Sequence, residues 1–583
     1  MFLHLAFAFH ALCLLFTVQT CWSACYFPIE YQGQFLMQSA VIAGPTVRYS
    51  QLNITAEAIP IWGHCHHRIG NNVILMDSSG GTDCIRCFHL NLRSRNVLQV
   101  HTEGLDKCYT NEDAAKATCP DEATLYGGDT SKEIILYKIK DANGDPIREE
   151  FCPINGRFRF SYQSADTLEC SEAVSEMDNC PSDSALNLRF RDCNFHNYDM
   201  TYQCLGHWTG RNNQRYIALL NRGGERFPRY RCALYREDAS TGVIFMAFSN
   251  DSTCRSDLHS ATSGYEKLTL STMPAPQWPE YVFASNCRFP AWALGHWQHL
   301  YVENKELTYK DHFTFKTFNM RCVGSDVGDG DRFLVFARTH CGEHMHNCIW
   351  MKKRGSNVIE FKLGQHTSTD LNTSLCSDSN FEGVTWITQG RLERKQEMPC
   401  PISGEYTGFL PDAPGLCARL SSDCRSPEIM YYTVSDCTQA EVYEEREYRC
   451  LGQWVEDGLM YTYTQRSDVG TYECFVGSIV SNDEIYIKEA GDHCQRNMNP
   501  FERGMKLTRK GSCVGDQRTS GSPQRPHPTS PWLSSKYPPE PTKPWKPITA
   551  PPRKPGGVQN AATLPARPLM MILGLTLLIS RSL

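Results

Sequence analysis

A short phrase recurs in this chain and narrows what the chain can fold into. The cleanest copy is Tyr202-Gln203-Cys204-Leu205-Gly206-His207-Trp208, followed by a polar turn and Arg215-Tyr216-Ile217-Ala218-Leu219-Leu220. A second copy is Tyr448-Arg449-Cys450-Leu451-Gly452-Gln453-Trp454, with a turn at Asp457-Gly458 before Leu459-Met460-Tyr461-Thr462-Tyr463. A looser copy runs from Met320-Arg321-Cys322-Val323-Gly324 through Gly328-Asp329-Gly330 into Arg332-Phe333-Leu334-Val335-Phe336. Branched and aromatic residues around a Gly/Asp/Asn turn read as β-hairpins. In an extended strand Tyr202, Cys204, Gly206 and Trp208 share one face, so a phenol, a half-cystine and an indole would be buried together. The phrase predicts core and cross-link rather than chemistry.

A second phrase marks where units begin. Cys25-Tyr26-Phe27-Pro28 with Gly33-Gln34-Phe35 returns as Cys287-Arg288-Phe289-Pro290 with Gly295-His296-Trp297. A shorter form, Cys152-Pro153-Ile154 with Gly156-Arg157-Phe158, returns as Cys400-Pro401-Ile402 with Gly404-Glu405-Tyr406. Four modules follow, at residues 25–151, 152–286, 287–399 and 400–513. Modules one and three resemble each other: Cys84 and Cys87 are answered by Cys341 and Cys348, Asn96-Val97 by Asn357-Val358, and Cys108 by Cys376. Modules two and four match further. Cys152, Cys170, Cys180, Cys193, Cys204, Cys232 and Cys254 correspond in order to Cys400, Cys417, Cys424, Cys437, Cys450, Cys474 and Cys494, while Cys119 and Cys513 have no counterpart.

In module two, strands are expected at 157–162, 185–190, 200–208, 215–220, 230–235, 243–247 and 266–270. Short strands at this spacing predict an antiparallel meander, closed as a barrel or folded as a sandwich. The fold class is therefore all-β: four tandem disulfide-rich antiparallel modules. One short helix is expected at 111–117.

The 28 cysteines in 583 residues predict an oxidising compartment. The apolar run Phe2–Val18 reads as a signal peptide, residues 1–23, cleaved before Ala24. Cys13 and Cys21 leave with it, and 26 cysteines remain, enough for thirteen disulfides. They fall six, seven, five and eight to the modules: Cys25, Cys65, Cys84, Cys87, Cys108 and Cys119; the seven from Cys152 to Cys254 named above; Cys287, Cys322, Cys341, Cys348 and Cys376; and Cys400 to Cys513. Two odd counts require at least one bridge between modules if every thiol is oxidised. Spacing leaves the pairing open.

Residues 515–556 hold twelve prolines and nine Ser/Thr, which read as an extended stalk. Residues 557–583 end in the apolar run Leu569–Ile579, about half the length a membrane-spanning helix needs. Small residues, a spacer and a short apolar end read as a GPI-attachment signal, removed after Asn560 as the ω residue. Asn53, Asn250 and Asn372 each open an Asn-x-Ser/Thr sequon and are expected to carry N-glycans.

Other candidates are weaker. His64, His66 and His67 flank Cys65, and His340, His344 and His346 surround Cys341, but zinc needs converging ligands and free thiolates. No metal and no cofactor are expected. Cys84-Ile85-Arg86-Cys87 has redox spacing without a βαβ context and reads as structural half-cystines. Asp326, Asp329 and Asp331 sit where sister modules turn, so turn chemistry explains them. There is no nucleophile elbow, phosphate loop or metalloprotease helix, and the chain does not read as an enzyme. A net charge of −6 argues against nucleic-acid binding.

The openers, the Cys84-x-x-Cys87 and Cys152-Pro-Ile spacings and the Cys-Leu-Gly-x-Trp phrases resemble an uncharacterised insect family of secreted proteins with four tandem domains of unknown function. The resemblance covers residues 25–513. It implies extracellular cysteine-rich modules and transfers no active site. Gly295-His296-Trp297 is also similar to the Gly-x-Trp opening of lipocalins. The expected function is cell-surface recognition or adhesion through an extracellular protein partner or self, with the chain held to the outer face of the plasma membrane by a GPI anchor. The alternative is a small apolar ligand bound inside lipocalin-like barrels.

Overall fold

A computed structural model describes residues 25–513 apart from 44–45, 121–124, 126–130, 166, 224–227, 275, 326–329 and 439–441. The expected signal peptide, stalk, GPI signal and Asn560 lie outside the described residues, as do Asp326 and Asp329.

Period-two patterning sets the strands. In Arg157–Ser164 the phenylalanines and Tyr162 are buried and the alternating residues are not. Ala185–Phe190 repeats the pattern with Leu186, Leu188 and Phe190. Among the described residues, thirty-two strands form four eight-stranded antiparallel sheets at 33–140, 157–272, 295–390 and 405–511. The second and fourth are closed barrels. The first pairs its opening strand Gly33–Ala43 with both Thr46–Ile54 and Lys132–Lys140, and the third runs in simple sequence order. Both are curled sheets rather than closed barrels. In the third, a single bridge joins Trp297 to Arg391 across the gap. Closed barrels and barrel-like curled sheets, not sandwiches, are thus the architecture.

One strand departs from the sequence reading. Thr167–Asp178 completes the second barrel, yet its sequence is largely polar and its pairing with Arg157–Ser164 slips on either side of Cys170. The irregularity erases the alternation that would have marked it. The helix at Glu112–Lys116 forms as expected, with Asn111 accepting from the backbone N–H of Asp113 at 2.7 Å as its cap.

Inside the second barrel, Phe158, Phe160, Leu188, Ile217, Leu219, Met246, Leu268 and Leu270 fill the space. At one end sits Arg231, fully buried. Its guanidinium donates to Glu266 at 2.8 Å and to the Ser249 carbonyl at 2.7 Å, and Tyr162 donates to the same carboxylate at 2.6 Å. The phenol is held well above its usual range by burial and by that carboxylate. Satisfied hydrogen bonds are what make a buried charge tolerable.

The 26 described cysteines form thirteen disulfides. Cys152–Cys204, Cys170–Cys193 and Cys232–Cys254 are matched in the fourth module by Cys400–Cys450, Cys417–Cys437 and Cys474–Cys494. Cys25–Cys65 is matched by Cys287–Cys322. Cys84 bonds Cys108, and Cys87 bonds Cys119 just beyond the short helix. Cys348 bonds Cys376 at the end of the helical turn Thr373–Cys376. The counterpart of Cys376 is therefore Cys119, not Cys108. Cys424 closes on Cys513, while Cys180 crosses to Cys341, the bridge that the odd counts demand.

Replacing Arg231 with Leu should lower the stability of the chain by about 3–5 kcal/mol, because Glu266 is left charged in the barrel. The double change Arg231→Leu/Glu266→Leu should recover most of that loss, measured by thermal unfolding followed calorimetrically.

Candidate functional site

The recurring phrase turns out to be a socket. The pairing of Tyr198–Thr209 with Arg215–Asn221 skips between Cys204 and Gly206, leaving Leu205 as a bulge. A bulge shifts the alternation by one residue. Tyr202 and Cys204 stay inside the barrel, while Leu205 and Trp208 turn outward, with the indole stacked on Tyr216 at 5.5 Å. The expectation that Trp208 shares a face with Tyr202 and Cys204 is corrected by this extra residue.

The outward face docks on module one. Leu205 joins a buried cluster with Val97, Ile135 and Tyr137 of module one and Tyr230 and Leu234 of module two. Ser94 donates to the carbonyl of Leu205 at 2.8 Å. Gly206, at φ +155°, has no room for a side chain, since a Cβ would lie 2.1 Å from the Ser94 hydroxyl. Asn96, almost fully buried, donates to the carbonyl of Arg148 at 2.9 Å and ties down the intermodule chain. The Tyr137 hydroxyl donates to the carbonyl of Ser252 at 2.7 Å, and burial raises its pKa well above the usual phenol value.

Modules three and four repeat this joint. Leu451 is the bulge, and it packs with Val358, Tyr461 and Tyr463. Asn357 donates to the carbonyls of Gln396 at 2.6 Å and Leu451 at 3.4 Å, and a Cβ on Gly452 would meet Val358 at 2.9 Å. The rim of this joint is charged. Glu360, fully buried, accepts from Arg354 at 2.6 Å and Arg496 at 2.8 Å, and both arginines also reach Glu456. Spacing had matched Asn96-Val97 with Asn357-Val358, but nothing in it said that these hairpins were plugs.

The third copy of the phrase behaves differently. Its bulge carbonyl, on Val323, accepts from Ser285 of the intermodule segment at 2.9 Å, and Gly324 faces open space. The socket of module three is thus capped by the chain's own linker.

The two pairs, 1–2 and 3–4, meet through a disulfide, polar groups and a few aromatic rings. Cys180–Cys341 crosses here, and beside it His340 faces Asp183 at 3.4 Å. The backbone of Asp183 donates to the carbonyl of Phe315 at 2.8 Å. Phe151 touches His312 and Phe315, with ring centroids at 4.8 and 5.2 Å. His299 and His312 stand 2.9 Å apart, nitrogen to nitrogen. Partial desolvation lowers His312, which stays exposed on one side, to about 4 and His299 well below its usual value, with Lys310, Arg95 and His493 adding to the effect. His207, at the mouth of the second barrel with an exposed edge, is likewise lowered by its surroundings and by Lys310 to about 4. At the far side Arg466 pairs with Glu30, and Tyr26 meets Tyr443 edge-on at 5.3 Å. Module four therefore touches module one, and the four modules close on themselves.

The remaining sequence candidates scatter. His66 pairs with Glu112 at 3.1 Å, and His64 is exposed. His346 is buried against the Tyr281 hydroxyl at 3.1 Å, while His344 is exposed. Cys180, His340 and Cys341 cluster, but both sulfurs are spent in the disulfide. Asn53 and Asn372 are exposed. Asn250 is half-buried, and Ser252 of its sequon lies inside the first joint, donating to the Tyr230 carbonyl at 2.8 Å. Of the histidines at the contact between the pairs, His340 stood out beside Cys341, while His299 and His312 were missed because no motif joins them.

Comparison with known families gives four adjacent matches to domains of unknown function. Residues 23–124 match DUF7044, 148–272 match DUF7042, 283–388 match DUF7043 and 400–500 match DUF7045. No curated protein matches the chain.

The two kinds of socket make a paired test. Gly206→Ala should destabilise the protein by roughly 1–3 kcal/mol, the range of overpacking strain, because Ser94 must move. Gly324→Ala, in the same phrase of module three, should be near neutral. Thermal unfolding of both variants measures the difference.

Proposed function

We propose that this is a secreted, N-glycosylated, GPI-anchored protein that acts in recognition or adhesion at the outer cell surface, without catalysis. Secretion fits the cysteine load and the apolar run Phe2–Val18. The insect family of secreted four-domain proteins that the chain resembles fits the same reading. Anchoring fits the small residues, spacer and short apolar end after Gly556.

The observation that carries the reading is the packing of the barrels. Phe158, Phe160 and Leu270 in the second and Leu420, Tyr448 and Leu507 in the fourth occupy the interior. What remains available to another molecule is the outer surface of a cross-linked body whose first and last modules touch. Such a body presents surfaces with little conformational entropy to lose on binding. The partner is an extracellular protein or a second copy.

A small apolar ligand is the second reading, and one feature favours it. In the fourth barrel, Ile402, Phe475, Ile479 and Ile485 line an apolar recess of about 40 Å³. Ligand clefts for drug-sized molecules run to roughly 300–1,000 Å³, so that barrel would have to open to hold one.

On cells expressing the full chain, a phospholipase specific for GPI should release the protein, and retention would remove the anchor from the proposal. The released protein, used as a probe against displayed extracellular proteins and against the same cells, should give a specific partner or self-binding. Silence in both arms, with lipid extracted from the purified protein, would move the function into the barrels. Peptide mapping after glycosidase treatment should find Asn53 and Asn372 occupied.

A further inference from the structure

One row of side chains on the outer wall of module three carries more positive charge than its own structure neutralises. The strands Arg332–Arg338, His344–Lys353 and Val358–Leu363 lie side by side, and Arg332, Trp350 and Lys362 are direct cross-strand partners. Trp386, just ahead of Ile387–Gly390, extends the row beside Lys362. Guanidinium, indole, ammonium and indole thus alternate across four strands, at about 4.8 Å per strand. The period of two puts Lys352 and Arg354 on the same face of the strand as Trp350, while Ile349 and Met351 point into the core. The rings hold the cations. Arg332 stands 4.3 Å from the Trp350 centroid, Lys362 lies 5.6 Å from Trp350 and 4.9 Å from Trp386, and Lys352 lies 5.8 Å from Trp386. The two indoles are 5.1 Å apart and half-buried.

Carboxylates take up the arginines here but not the lysines. Asp378 pairs with Arg332, and Glu360 and Glu456 share Arg354 and Arg496 between them. Three carboxylates thus balance three arginines. Among the described residues, no acidic group lies within ion-pair distance of Lys352 or Lys362, whose contacts are with the indoles. Burial, with Arg496 and Lys352 nearby, lowers the Lys362 ammonium below its usual range although Glu360 and Glu456 oppose the shift. The corresponding row of module one lacks this charge. Asn72, His89 and His101 are partners there in the same order, and Glu133 follows, paired with Arg255 of module two. Desolvation lowers His89 to about 4 and His101 to about 3, so both imidazoles are neutral at physiological pH.

We propose that this row is a binding site for a sulfated polysaccharide, with sulfate groups on Lys352 and Lys362 and a sugar ring against the indoles. An ammonium without a carboxylate keeps its N–H donors for an external anion, and a ring that already holds it reduces the cost of ordering it on binding. The free cations are lysines. An ammonium is a point charge that meets a sulfate from any side, whereas the planar forks best suited to carboxylate and phosphate belong to arginines already paired. The indoles add apolar surface directly beside these charges. With a net charge of −6 the chain has no general attraction for polyanions, so the attraction is local to this face. The extracellular setting proposed above favours a polysaccharide over a nucleic acid, and the assignment of the ligand rests on that setting.

The test is a calorimetric titration of the full chain, purified from expressing cells, with heparin as the probe. Heparin stripped of its sulfates and a single-stranded oligonucleotide are titrated alongside. The chain should bind heparin, more weakly as salt is raised, and should bind neither of the other two. Lys352→Gln/Lys362→Gln should weaken binding roughly tenfold, the order expected for two exposed charge pairs, at an unchanged unfolding temperature. Trp386→Ala removes the ring shared by both lysines and should weaken binding severalfold with no change of charge; Trp386→Leu gives the same comparison should that variant misfold. Lys132→Gln/Lys316→Gln removes the same charge from lysines paired with Asp106 and Glu343, and should change the affinity by less than about twofold. Equal losses in the two double variants would overturn the proposal, since any cation would then serve. Full affinity in the Lys352/Lys362 variant, or no binding of heparin by the parent chain, would do the same. Equal binding of the oligonucleotide would give the face to nucleic acid instead. The titration needs neither secretion nor an anchor, so its result is independent of the phospholipase experiment.

Discussion

A single inserted residue in a strand organises this molecule. At Leu205 and Leu451 the bulge lets one strand serve two cores at once. Before it, Cys204 and Cys450 face inward and are bridged to the module openers Cys152 and Cys400. After it, Leu205 and Trp208, or Leu451 and Trp454, face outward into a neighbour. Without the phase change the indole would point into its own barrel and the neighbouring hairpin would have nothing to seat on. The glycine that follows is the complement, since Ser94 and Val358 occupy the space a side chain would need. Fold of the module and assembly of modules are thus set by the same seven residues.

The sequence made the class of fold legible, and its limits are instructive. Turn residues marked seven of the eight strands in module two, together with alternation where one face is buried, as in Arg157–Ser164, Ala185–Phe190 and Glu266–Thr272, or a continuous branched and aromatic run where both are, as in Arg215–Asn221 and Tyr230–Glu237. Thr167–Asp178 carried no such signal because its bulged pairing leaves consecutive residues exposed. The same physics misled the reading of Trp208, where strict alternation was assumed across a residue that breaks it. Cysteine spacing aligned modules two and four correctly, down to three homologous bridges, yet it mistook Cys108 for the partner of Cys376 in alignment. The helical turns beside Cys119 and Cys376 settle that correspondence, and they are a property of three-dimensional packing. Of the contact between the pairs, only the need for a bridge was legible, from the odd cysteine counts, since His299, His312 and Phe151 come together only once the modules are placed.

The two pairs are built alike, and departures from that likeness set the arrangement of the whole. Cys180 and Cys424 hold corresponding places, yet one reaches into the next module and the other returns to the end of its own. Val323-Gly324 keeps the form of a socket but receives Ser285 of the linker instead of a hairpin. An odd cysteine and a capped socket, both in the middle of the chain, join two similar two-module units into a single closed tetrad.

The bridge between Cys424 and Cys513 has a mechanical consequence. The last strand, Met505–Gly511, lies between Glu405–Phe409 and Glu484–Glu489, and antiparallel strands pulled from one end separate one hydrogen bond at a time. Tension applied to the segment after Cys513 does not reach that strand's end as a peeling force. It passes through the sulfur bridge into the loop ahead of Ile429–Asp436, on the opposite side of the first strand, and so is shared across the barrel wall. Whatever pulls on this molecule from its C-terminal side loads a hoop and not a zipper.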